Sequence, residues 1–415
     1  MISFLNLQTV ESVLGMLDDL APVGHEEISV FEARGRTLAF EFAAPEDLPG
    51  FTRSTVDGFA VRARDVFGAS EGIPALLELC GECPMGLVPE FELGAGQSAV
   101  IWTGGMLPVG ADAVVMLEYS REAGHGKIEL TRPVAPLDNT MARDEDVAHG
   151  QSLLPSGAVL EPQDLGLLAA LGQETVVVRR RPKIAVLANG DELVPIGSGQ
   201  EPGKIRESNS PTLCAMIDAM GGQAFFLGLV PDDLEKLVTC LQQGLAFADT
   251  VLVTGGSSAG QRDFTLSAFA GLPGWEVLVH GIAMRPGKPT ILASNGRQTL
   301  WGLPGNPTAA FITAEIFVRR MMEVLLGQSH AQFSHKRRIT ARLSRRVASV
   351  QGRRDYIRVR LEPGDQKDGF LIAVPLLGSS GLVSNPAKAD GLVVCHESQE
   401  GLEAGQVLEV HMLRA

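Results

Sequence analysis

The stretch KIAVLANGDE, residues 183–192, decides the class of the fold. Its first six residues form a short apolar run flanked by Pro182 and Gly190, which is the pattern of a fully buried strand. The residues that follow alternate between helix and strand, with a helix at 210–220, a strand at 224–230, a helix at 232–247 and a strand at 250–253. Because such alternation requires parallel strands joined by crossover helices, we predict a central open, mostly parallel α/β sheet.

The sequence on either side of this segment has a different texture. Near the N-terminus, Thr9 can cap a helix whose apolar residues share one face, and the capping-box pattern at residues 29–32 predicts a second helix. Residues 44–148 alternate short apolar stretches with turns that contain glycine or proline, which is typical of β-rich structure. After a predicted helix at 308–326 the chain breaks into short strands, so we expect a small separate β domain at the C-terminal end.

The composition is that of a globular protein with several domains. A length of 415 residues corresponds to about two to three domains, and 45% hydrophobic residues are enough for buried cores, which excludes a disordered chain. With 35 Lys and Arg against 49 Asp and Glu, the net charge is −14. Because a field of that sign repels nucleic acid and anionic lipid, we expect neither nucleic acid nor a membrane as a partner.

The sequence predicts a cytoplasmic protein. The first residues lack a basic start followed by an apolar run, so we expect no signal peptide, and no stretch approaches the ~18 apolar residues of a membrane span. Five scattered cysteines, an odd number, indicate a reducing compartment. Cys80 and Cys83 have the spacing of metal or redox pairs, but the sequence offers no second pair or nearby histidine to complete a zinc site. We therefore expect no metal or redox role for them.

Three loops at predicted strand ends carry residues suited to phosphate chemistry. In an open parallel sheet, ligands bind where the strands end at their carboxyl side. The first loop carries the carboxylates of Asp191 and Glu192, the second, residues 254–260, is rich in glycine and serine, and the third places Asn306 to cap the next helix. Each loop by itself also fits an ordinary turn, because turns favour the same residues.

A cationic turn, Met284-Arg285-Pro286-Gly287-Lys288-Pro289, lies in the same segment. Its two positive side chains on a stiff backbone could hold an anion, although a solvated surface turn can have the same composition. Carboxylates beside phosphate-binding loops indicate Mg²⁺, a hard cation that prefers oxygen ligands. The sequence contains no P-loop pattern. These residues alone therefore indicate an anion- or nucleotide-binding α/β enzyme.

Taken together, these stretches resemble the molybdopterin molybdenumtransferase family (MoeA, and the E domain of gephyrin). The matching motifs follow in order along the chain: PGFTRSTVDGFA at 49–60, TGG at 103–105, PVGADAVV at 108–115, RDEDV at 143–147, GDEL at 190–193, GKIRESNS at 203–210, GGS at 255–257, RPGKP at 285–289, LPGNP at 303–307, RDY at 354–356 and SSGL at 379–382. The chain departs from the family pattern at Asn189, where the family usually has Thr, and at Gly281, where some members carry Lys.

The resemblance implies an elongated homodimer whose subunits have four domains. Domain I would be discontinuous, with helix and strands in residues 1–44 and 147–181, and the β-rich domain II, residues 45–146, would be inserted into it. Residues 182–328 would form domain III, the α/β molybdopterin-binding domain. Residues 329–415 would form domain IV, a small β-barrel-like domain.

The resemblance also implies the function and the residues that perform it. The implied function is molybdenum cofactor biosynthesis, in which a transferase inserts molybdate into adenylylated molybdopterin, requires Mg²⁺ and releases AMP. The implied catalytic residues are Asp57, Thr103, Asp146, Glu192 and Asp263, the first three reaching the cleft of the other subunit. The implied ligands of Mg²⁺ are Asp191, Glu192 and Asp263. The implied substrate contacts are Asn209, Gly255, Gly256, Ser257, Pro304 and Asn306, and, for molybdate, Arg285, Lys288, Arg354 and Ser380.

Two alternatives stay open at this point. The chain could be an adenylyltransferase-like enzyme that acts on molybdopterin, or a scaffold protein that retains the fold. The implied protein partners are molybdopterin adenylyltransferase and molybdoenzyme maturation factors. Asp232 is ambiguous in the same way, because it matches a family position and also begins a capping-box pattern, residues 232–235.

Overall fold

The computed structural model describes residues 7–255, 264–328, 338–364 and 369–413. By its internal contacts the chain divides into two compact units. The larger unit comprises the described residues of Met1–Phe40, Ser156–Glu161 and Thr175–Ala415, and the smaller unit comprises Glu41–Pro155 and Pro162–Glu174. The four domain boundaries expected from the sequence are finer than this division and stay a prediction.

The centre of the larger unit is a six-stranded sheet. Its strands are β1 (Lys183–Asn189), β2 (Gln223–Val230), β3 (Thr250–Gly255), β4 (Glu276–His280), β5 (Ile291–Ser294) and β6 (Thr299–Leu303). The order across the sheet is β2-β1-β3-β6-β5-β4. The first four strands in this order, β2, β1, β3 and β6, run parallel to one another. Strand β5 pairs antiparallel with both β6 and β4. The predicted open, mostly parallel α/β sheet is therefore confirmed.

Strand β1 is buried on both faces, which explains its unbroken apolar sequence. Ile184 and Val186 belong to one hydrophobic cluster, together with Trp301 of β6. Ala185 and Leu187 point the other way, into a second cluster. Because successive side chains of a strand alternate between faces, a strand covered on both sides needs apolar residues throughout.

Helices cover both faces of this sheet. They are α1 (Asn209–Ala219), α2 (Leu234–Leu245), α3 (Phe264–Gly271) and α4 (Pro307–Thr313), the last continuing through a π-helical turn, Ala314–Val318, into Arg319–Leu325. Asp233 is the cap of α2, since its carboxylate accepts a hydrogen bond from the amide of Lys236. The neighbouring Asp232 lies one residue too early to be the cap and is free for another role.

The N-terminal part of the larger unit contains the predicted first helix, Val10–Asp18, capped by the Thr9 hydroxyl. The predicted second helix is reduced to one 3₁₀ turn, Val30–Glu32. The Ser29 hydroxyl accepts a hydrogen bond from the backbone amide of Phe31. This local bond caps the single turn, and the helix does not continue beyond it. The strands His25–Ser29 and Thr175–Arg179 pair antiparallel beside it.

The C-terminal strands form a second six-stranded sheet in the larger unit. The strands are, in order across the sheet, Met284–Arg285, Arg354–Glu362, Leu371–Pro375, Arg338–Leu343, Val407–Met412 and Gly391–Cys395. A further pairing between Arg354–Glu362 and Gly391–Cys395 closes the sheet on itself, which confirms the predicted small β domain. The pair Val347–Ala348 with Gly401–Leu402 and the helix Ser384–Lys388 complete it.

The smaller unit is β-rich. Its six-stranded sheet contains Gly58–Val61, Ala75–Cys83, Gln97–Ile101, Ala113–Met116, Ser120–Gly124 and Lys127–Leu130. Two short pairs, Arg53–Ser54 with Thr140–Met141 and Phe42–Ala43 with Ser152–Leu154, and the helix Pro162–Ala170 lie in the same unit. Cys83 is buried in an apolar cluster, and this burial raises the pKa of its thiol to about 11, so it is a neutral packing group at physiological pH.

Candidate active site

A cavity of about 860 Å³ opens at the carboxyl ends of the parallel strands. We name it the sheet-end cavity. It lies where an open α/β sheet ordinarily binds its ligand. Its walls include predicted site residues from each of the three strand-end loops, namely Glu192, Gly255 and Asn306, together with Asn209. The remaining polar wall includes Lys204, Arg206, Glu207, Ser208, Asp232 and Thr254.

Gly255 lets the backbones of neighbouring loops approach each other at the floor of this cavity. Gly255 has a φ of +89°, and a Cβ atom placed on it would lie 2.1 Å from the carbonyl oxygen of Asn189. A Cβ on Gly305 would lie 3.4 Å from the Cα of Gly255. A side chain at Gly255 would push the strand ends apart, whereas one at Gly305 would make an ordinary van der Waals contact, so Gly255 is the position that requires glycine.

Asn209, the first residue of α1, forms hydrogen bonds with two of these loops. Its side-chain amide donates to the Thr254 hydroxyl at 2.7 Å and to the Gly305 carbonyl at 2.8 Å. Both amide hydrogens are therefore used within the protein, and only the side-chain oxygen is available to a ligand. The resemblance implied a substrate contact here, and the geometry adds a positioning role.

Asp191, Glu192 and Asp232 lie near one another at one corner of the sheet-end cavity, although their carboxylates do not form a ready-made cluster around one point. Asp191 accepts a hydrogen bond from the backbone amide of Asp232 at 3.1 Å, and Lys204 donates to the Asp191 carbonyl at 2.7 Å. Burial, and then the negative charges of Asp191 and Glu192, raise the pKa of Asp232 above its ordinary value. The corner thus gathers negative charge around Asp232, with the ammonium of Lys204 close to Asp191.

We predict a pH-dependent stabilisation when Asp232 is changed to Asn. Because the pKa of Asp232 is raised in the folded protein, the stability it contributes is complete below its ordinary pKa of 3.8 and is lost as pH rises through the folded value. Asp232→Asn should therefore melt at the same temperature as the parent protein near pH 3.5 and slightly higher at pH 7. The gain should be below about 1 kcal/mol, because the side chain is exposed.

Asp233→Asn provides the matched control, because the pKa of Asp233 is shifted in the opposite direction. The amide of Lys236 lowers the pKa of Asp233, so its contribution to stability is present above the ordinary pKa and is lost as pH falls. Melting curves at pH 3.5 and 7 measure both variants. Equal pH dependence of the two variants would contradict the charge distribution described for this corner.

A second cavity, of about 830 Å³, lies between the cationic turn and the C-terminal β domain. We name it the basic cavity. Predicted residues in its wall are Arg285, Lys288, Pro304, Asn306 and Ser380. Arg358 joins them, together with Arg346 and Arg353, which are paired with Glu403 and Asp355. The strand Met284–Arg285 pairs with Arg354–Asp355 and so places the turn beside the second sheet.

Asn306 belongs to the walls of both cavities. It stands at the N-cap position of α4, but its side chain makes no capping bond; its amide donates to the Ser380 hydroxyl at 3.1 Å instead. The expectation that the Asn306 side chain caps the helix is therefore wrong, because the C-terminal domain supplies a partner that the local sequence does not show. Asn306 connects the two cavities.

Arg358 is the most buried arginine in the wall of the basic cavity, and the sequence prediction did not include it. Its residue is only 7% exposed, and its Nη2 donates to the Leu376 carbonyl at 3.1 Å. Its Nε has no hydrogen-bond partner within the described ranges. Burial, and then the positive charge of Arg285, lower the pKa of Arg358. The available signal was an arginine between two buried apolar residues, Ile357 and Val359.

Arg354 lies on the same strand but is already paired. Its guanidinium contacts Glu11 of the first helix and binds Glu397 through Nε at 3.1 Å and Nη2 at 3.0 Å. It does not belong to the wall of the basic cavity. Arg354 is therefore less available to an anion in the basic cavity than Arg358 is, and its implied molybdate contact stays a prediction.

The predicted residues of the smaller unit include one hydrogen-bonded pair. The Asp57 carboxylate accepts from the Thr103 amide at 2.8 Å and from the Thr103 hydroxyl at 2.7 Å. These bonds hold the pKa of Asp57 below its ordinary value, so the exposed carboxylate stays ionised at neutral pH. Asp146 is also exposed, and its backbone amide donates to the Leu48 carbonyl.

Three predicted site residues, Gly256, Ser257 and Asp263, lie outside the described residues. Within the described ranges, no three metal-binding side chains come together in a ready-made site. Those ranges also contain no helix long and apolar enough to cross a membrane.

Comparison with known proteins identifies the family of this chain. Residues 8–172 match the MoeA N-terminal region (domain I and II), 185–324 the family described as "Probable molybdopterin binding domain", and 340–413 the MoeA C-terminal region (domain IV). The molybdopterin molybdenumtransferase of Bacillus subtilis is 33% identical over 94% of this chain and 90% of its own length, and that of Staphylococcus epidermidis is 30% identical over 96% and 94%.

Solved structures agree with this assignment. A crystal structure of the molybdopterin biosynthesis MoeA protein from Pyrococcus horikoshii superposes with a TM-score of 0.86 at 36% identity, covering 99% of this chain and all of the other. A second structure of a MoeA protein from the same organism gives a TM-score of 0.82 at 29% identity, covering 98% of this chain and all of the other. The resemblance seen in the sequence is confirmed: the chain belongs to the molybdopterin molybdenumtransferase (MoeA) family.

Proposed function

We propose that this protein inserts molybdate into adenylylated molybdopterin and releases AMP, with Mg²⁺ as its cofactor. Its family membership makes it a transferase of molybdenum cofactor biosynthesis. The observation that carries the finer proposal is the junction at Asn306, which lines both a cavity suited to phosphates and a cavity suited to an oxyanion. A substrate with a pyrophosphate group could thus lie beside molybdate in one continuous site.

The sheet-end cavity has the features of a pyrophosphate site. Gly255 allows close backbone approach, and the N-terminal end of α1 faces the same space through Ser208 and Asn209. Lys204 and Arg206 add positive charge to the wall. Together these groups can hold the phosphates while the bond that releases AMP is broken.

The basic cavity suits a tetrahedral dianion such as molybdate. Arg285 and Lys288 are exposed cations on one side, and the buried Arg358 faces them. Like charges held this close repel each other, and a bound dianion would relieve the repulsion. The Ser380 hydroxyl, oriented by Asn306, can donate a further hydrogen bond.

The acidic corner of the sheet-end cavity fits Mg²⁺. Asp191 and Glu192 would hold the ion, with the charge of Asp232 nearby, and Asp263 would join them. Because Mg²⁺ usually binds one or two carboxylates together with phosphate oxygens, a ready-made cage of three protein ligands is not needed. When bound, the ion would neutralise negative charge on the phosphates as AMP leaves.

The proposal also includes a cytoplasmic homodimer in which Asp57, Thr103 and Asp146 serve the site of the other subunit. The ionised Asp57, fixed by Thr103, supports it as a group that could orient a substrate or accept a proton. Molybdopterin adenylyltransferase, as the class of enzyme that makes the adenylylated substrate, and molybdoenzyme maturation factors are the proposed protein partners.

We predict that purified protein releases AMP from adenylylated molybdopterin only when molybdate and Mg²⁺ are both present. Asp57→Ala and Glu192→Ala should each lower this turnover by about 100-fold or more, because each removes a charged group from the proposed reaction site. Chromatographic quantification of AMP measures the rate, and light scattering shows whether each variant keeps its assembly state.

Glu201→Ala is the control for Glu192→Ala, because Glu201 is an exposed carboxylate of the adjacent loop that does not line the sheet-end cavity. It should keep full turnover. Formation of adenylylated molybdopterin from a nucleotide would instead identify an adenylyltransferase-like enzyme. Absence of both reactions in a well-folded protein would favour the scaffold.

A further inference from the structure

Asn189, the last residue of β1, lies where three strand ends meet. It pairs with Val230 at the end of β2 and with Gly255 at the end of β3, and its side chain is fully buried. It is also a position at which the chain departs from the family pattern, which usually has Thr. The side chain has no part in the reaction proposed above, so its presence calls for a separate explanation.

The side-chain amide of Asn189 holds the turn that follows β2. Its Nδ2 donates to the Val230 carbonyl at 3.0 Å and to the Pro231 carbonyl at 2.9 Å. Its Oδ1 has no hydrogen-bond partner within the described ranges, so the donated bonds are the polar contribution of this side chain. Because an amide is costly to bury, these two bonds are what the position gains from Asn over an apolar residue.

One peptide group connects this contact to the acidic corner, which consists of Asp191, Glu192 and Asp232. The peptide between Pro231 and Asp232 has its carbonyl bound by Asn189, and its N–H donates to Asp191 Oδ1 at 3.1 Å. Because a peptide group is planar, a bond that fixes the carbonyl also fixes the direction of the N–H. The Asn189 amide therefore helps to set the direction from which the Asp191 carboxylate receives its hydrogen bond.

The remaining bonds of this turn do not replace that restraint. The Val230 carbonyl also accepts from the Gly190 amide at 3.1 Å, but it belongs to the preceding peptide. The Pro231 carbonyl also accepts from the Asp233 amide at 2.7 Å, and this bond lies within the turn and moves with it. Both carbonyls keep a partner when Asn189 is replaced, so a variant should fold and lose the orientation of the peptide.

We propose that Asn189 is a positioning residue for the Mg²⁺ ion, an inference that rests on the proposed function. Asp191 would be a ligand of the ion, and a carboxylate with one oxygen held by a peptide N–H presents its free lone pairs in a fixed direction. Groups that orient a metal ligand in this way contribute to metal affinity without touching the metal. Asn189 would thus act on the ion through one peptide and Asp191.

Binding of Mn²⁺ to the full-length protein, measured from the electron paramagnetic resonance signal of the free ion, tests this inference. Mn²⁺ stands in for Mg²⁺ because it prefers the same oxygen ligands and octahedral geometry. Asn189→Leu keeps the approximate size of the side chain and removes both donors, so it should weaken Mn²⁺ binding roughly 10-fold. Asn189→Thr keeps one donor, so its affinity should lie between those of the parent and the leucine variant. The threonine variant decides the test if the leucine variant does not fold.

Thr250→Val is the matched control for lost stability. Thr250 is a buried residue at the opposite end of β3 from Gly255, and its hydroxyl bonds that of Thr299 at 2.8 Å. The variant also loses a buried hydrogen bond, but far from the acidic corner, so it should bind Mn²⁺ as the parent protein does. Equal weakening of Mn²⁺ binding in Thr250→Val and Asn189→Leu would reveal a general effect of stability and overturn the inference.

Asp191→Ala separates this inference from the proposed function. It should remove most of the Mn²⁺ binding, because it removes a proposed ligand. Mn²⁺ binding that depends on Asp191 but is unchanged in both Asn189 variants would overturn the positioning role alone. Mn²⁺ binding that is unchanged in Asp191→Ala would overturn the magnesium site of the proposed function, and the role of Asn189 with it.

Discussion

Replacing Arg358 with methionine is expected to abolish most of the protein's affinity for molybdate without destabilising the free protein. Arg358 brings a positive charge into a buried position that no carboxylate in the described ranges balances. A buried charge is costly unless it is paired, so its presence in the folded protein requires a compensating role. Binding an anion in the basic cavity, as proposed, would supply that role.

The size of the effect follows from the chemistry of a charge-assisted hydrogen bond. Loss of one such bond to an oxyanion should weaken binding by roughly 10- to 100-fold. Methionine keeps the length of the side chain and removes the charge, so the free protein should melt at the same temperature or higher. The melting temperature measured across molybdate concentrations reports both the stability of the free protein and its affinity for molybdate, because a ligand that binds only the folded state raises the melting temperature.

Arg354→Met is the matched control, because it removes the same charge from the same strand. Arg354 is held by Glu11 and Glu397 and lies outside the basic cavity wall. Its loss should lower stability by about 1 kcal/mol, since both carboxylates are partly solvated, and should change molybdate affinity little. If Arg354→Met loses molybdate and Arg358→Met keeps it, the assignment from the sequence is right and the one from the geometry is wrong.

This pair of arginines shows where sequence reasoning ends. The strand Arg354–Glu362 was predictable from its composition, but the partners of its arginines were not. Glu11 lies on the first helix and Glu397 follows a later strand, so only the tertiary fold shows that Arg354 is neutralised. The local sequence pattern of this strand cannot show that Arg354 is paired with carboxylates while Arg358, four residues later, is not.

The same limit appears at Asp232 and Asp233. Both fit the start of a helix, and the choice between them depends on which backbone adopts the extended conformation of a cap, here Asp233 with φ −133° and ψ 117°. Strand β1, in contrast, was predictable, because burial on both faces requires apolar residues from Ile184 to Ala188. The sequence thus predicts elements whose residues are fixed by burial in the core. It does not predict the role of a side chain that depends on one contact distant in the sequence or on the local backbone conformation.

Gly255→Ala is expected to have the largest effect of any substitution at the sheet-end cavity. The position combines a φ of +89° with a carbonyl oxygen of Asn189 that would lie 2.1 Å from the new Cβ. Backbone strain of this kind costs about 1 kcal/mol or more, and the clash with a fixed strand adds to it. We expect a loss of roughly 3 kcal/mol in the free energy of unfolding, or failure of the sheet end to form.

Gly274→Ala separates the two causes. Gly274 has a nearly equal φ of +80°, but a Cβ placed on it would meet no atom within 4 Å. It should therefore show only the conformational cost, about 1 kcal/mol, and full phosphate binding. Chemical denaturation measures the free energy of unfolding, and titration with pyrophosphate measures the affinity of the sheet-end cavity for phosphate groups. If the two alanine variants lose equal stability, the close approach to Asn189 contributes nothing, and the role of Gly255 would reduce to its backbone conformation.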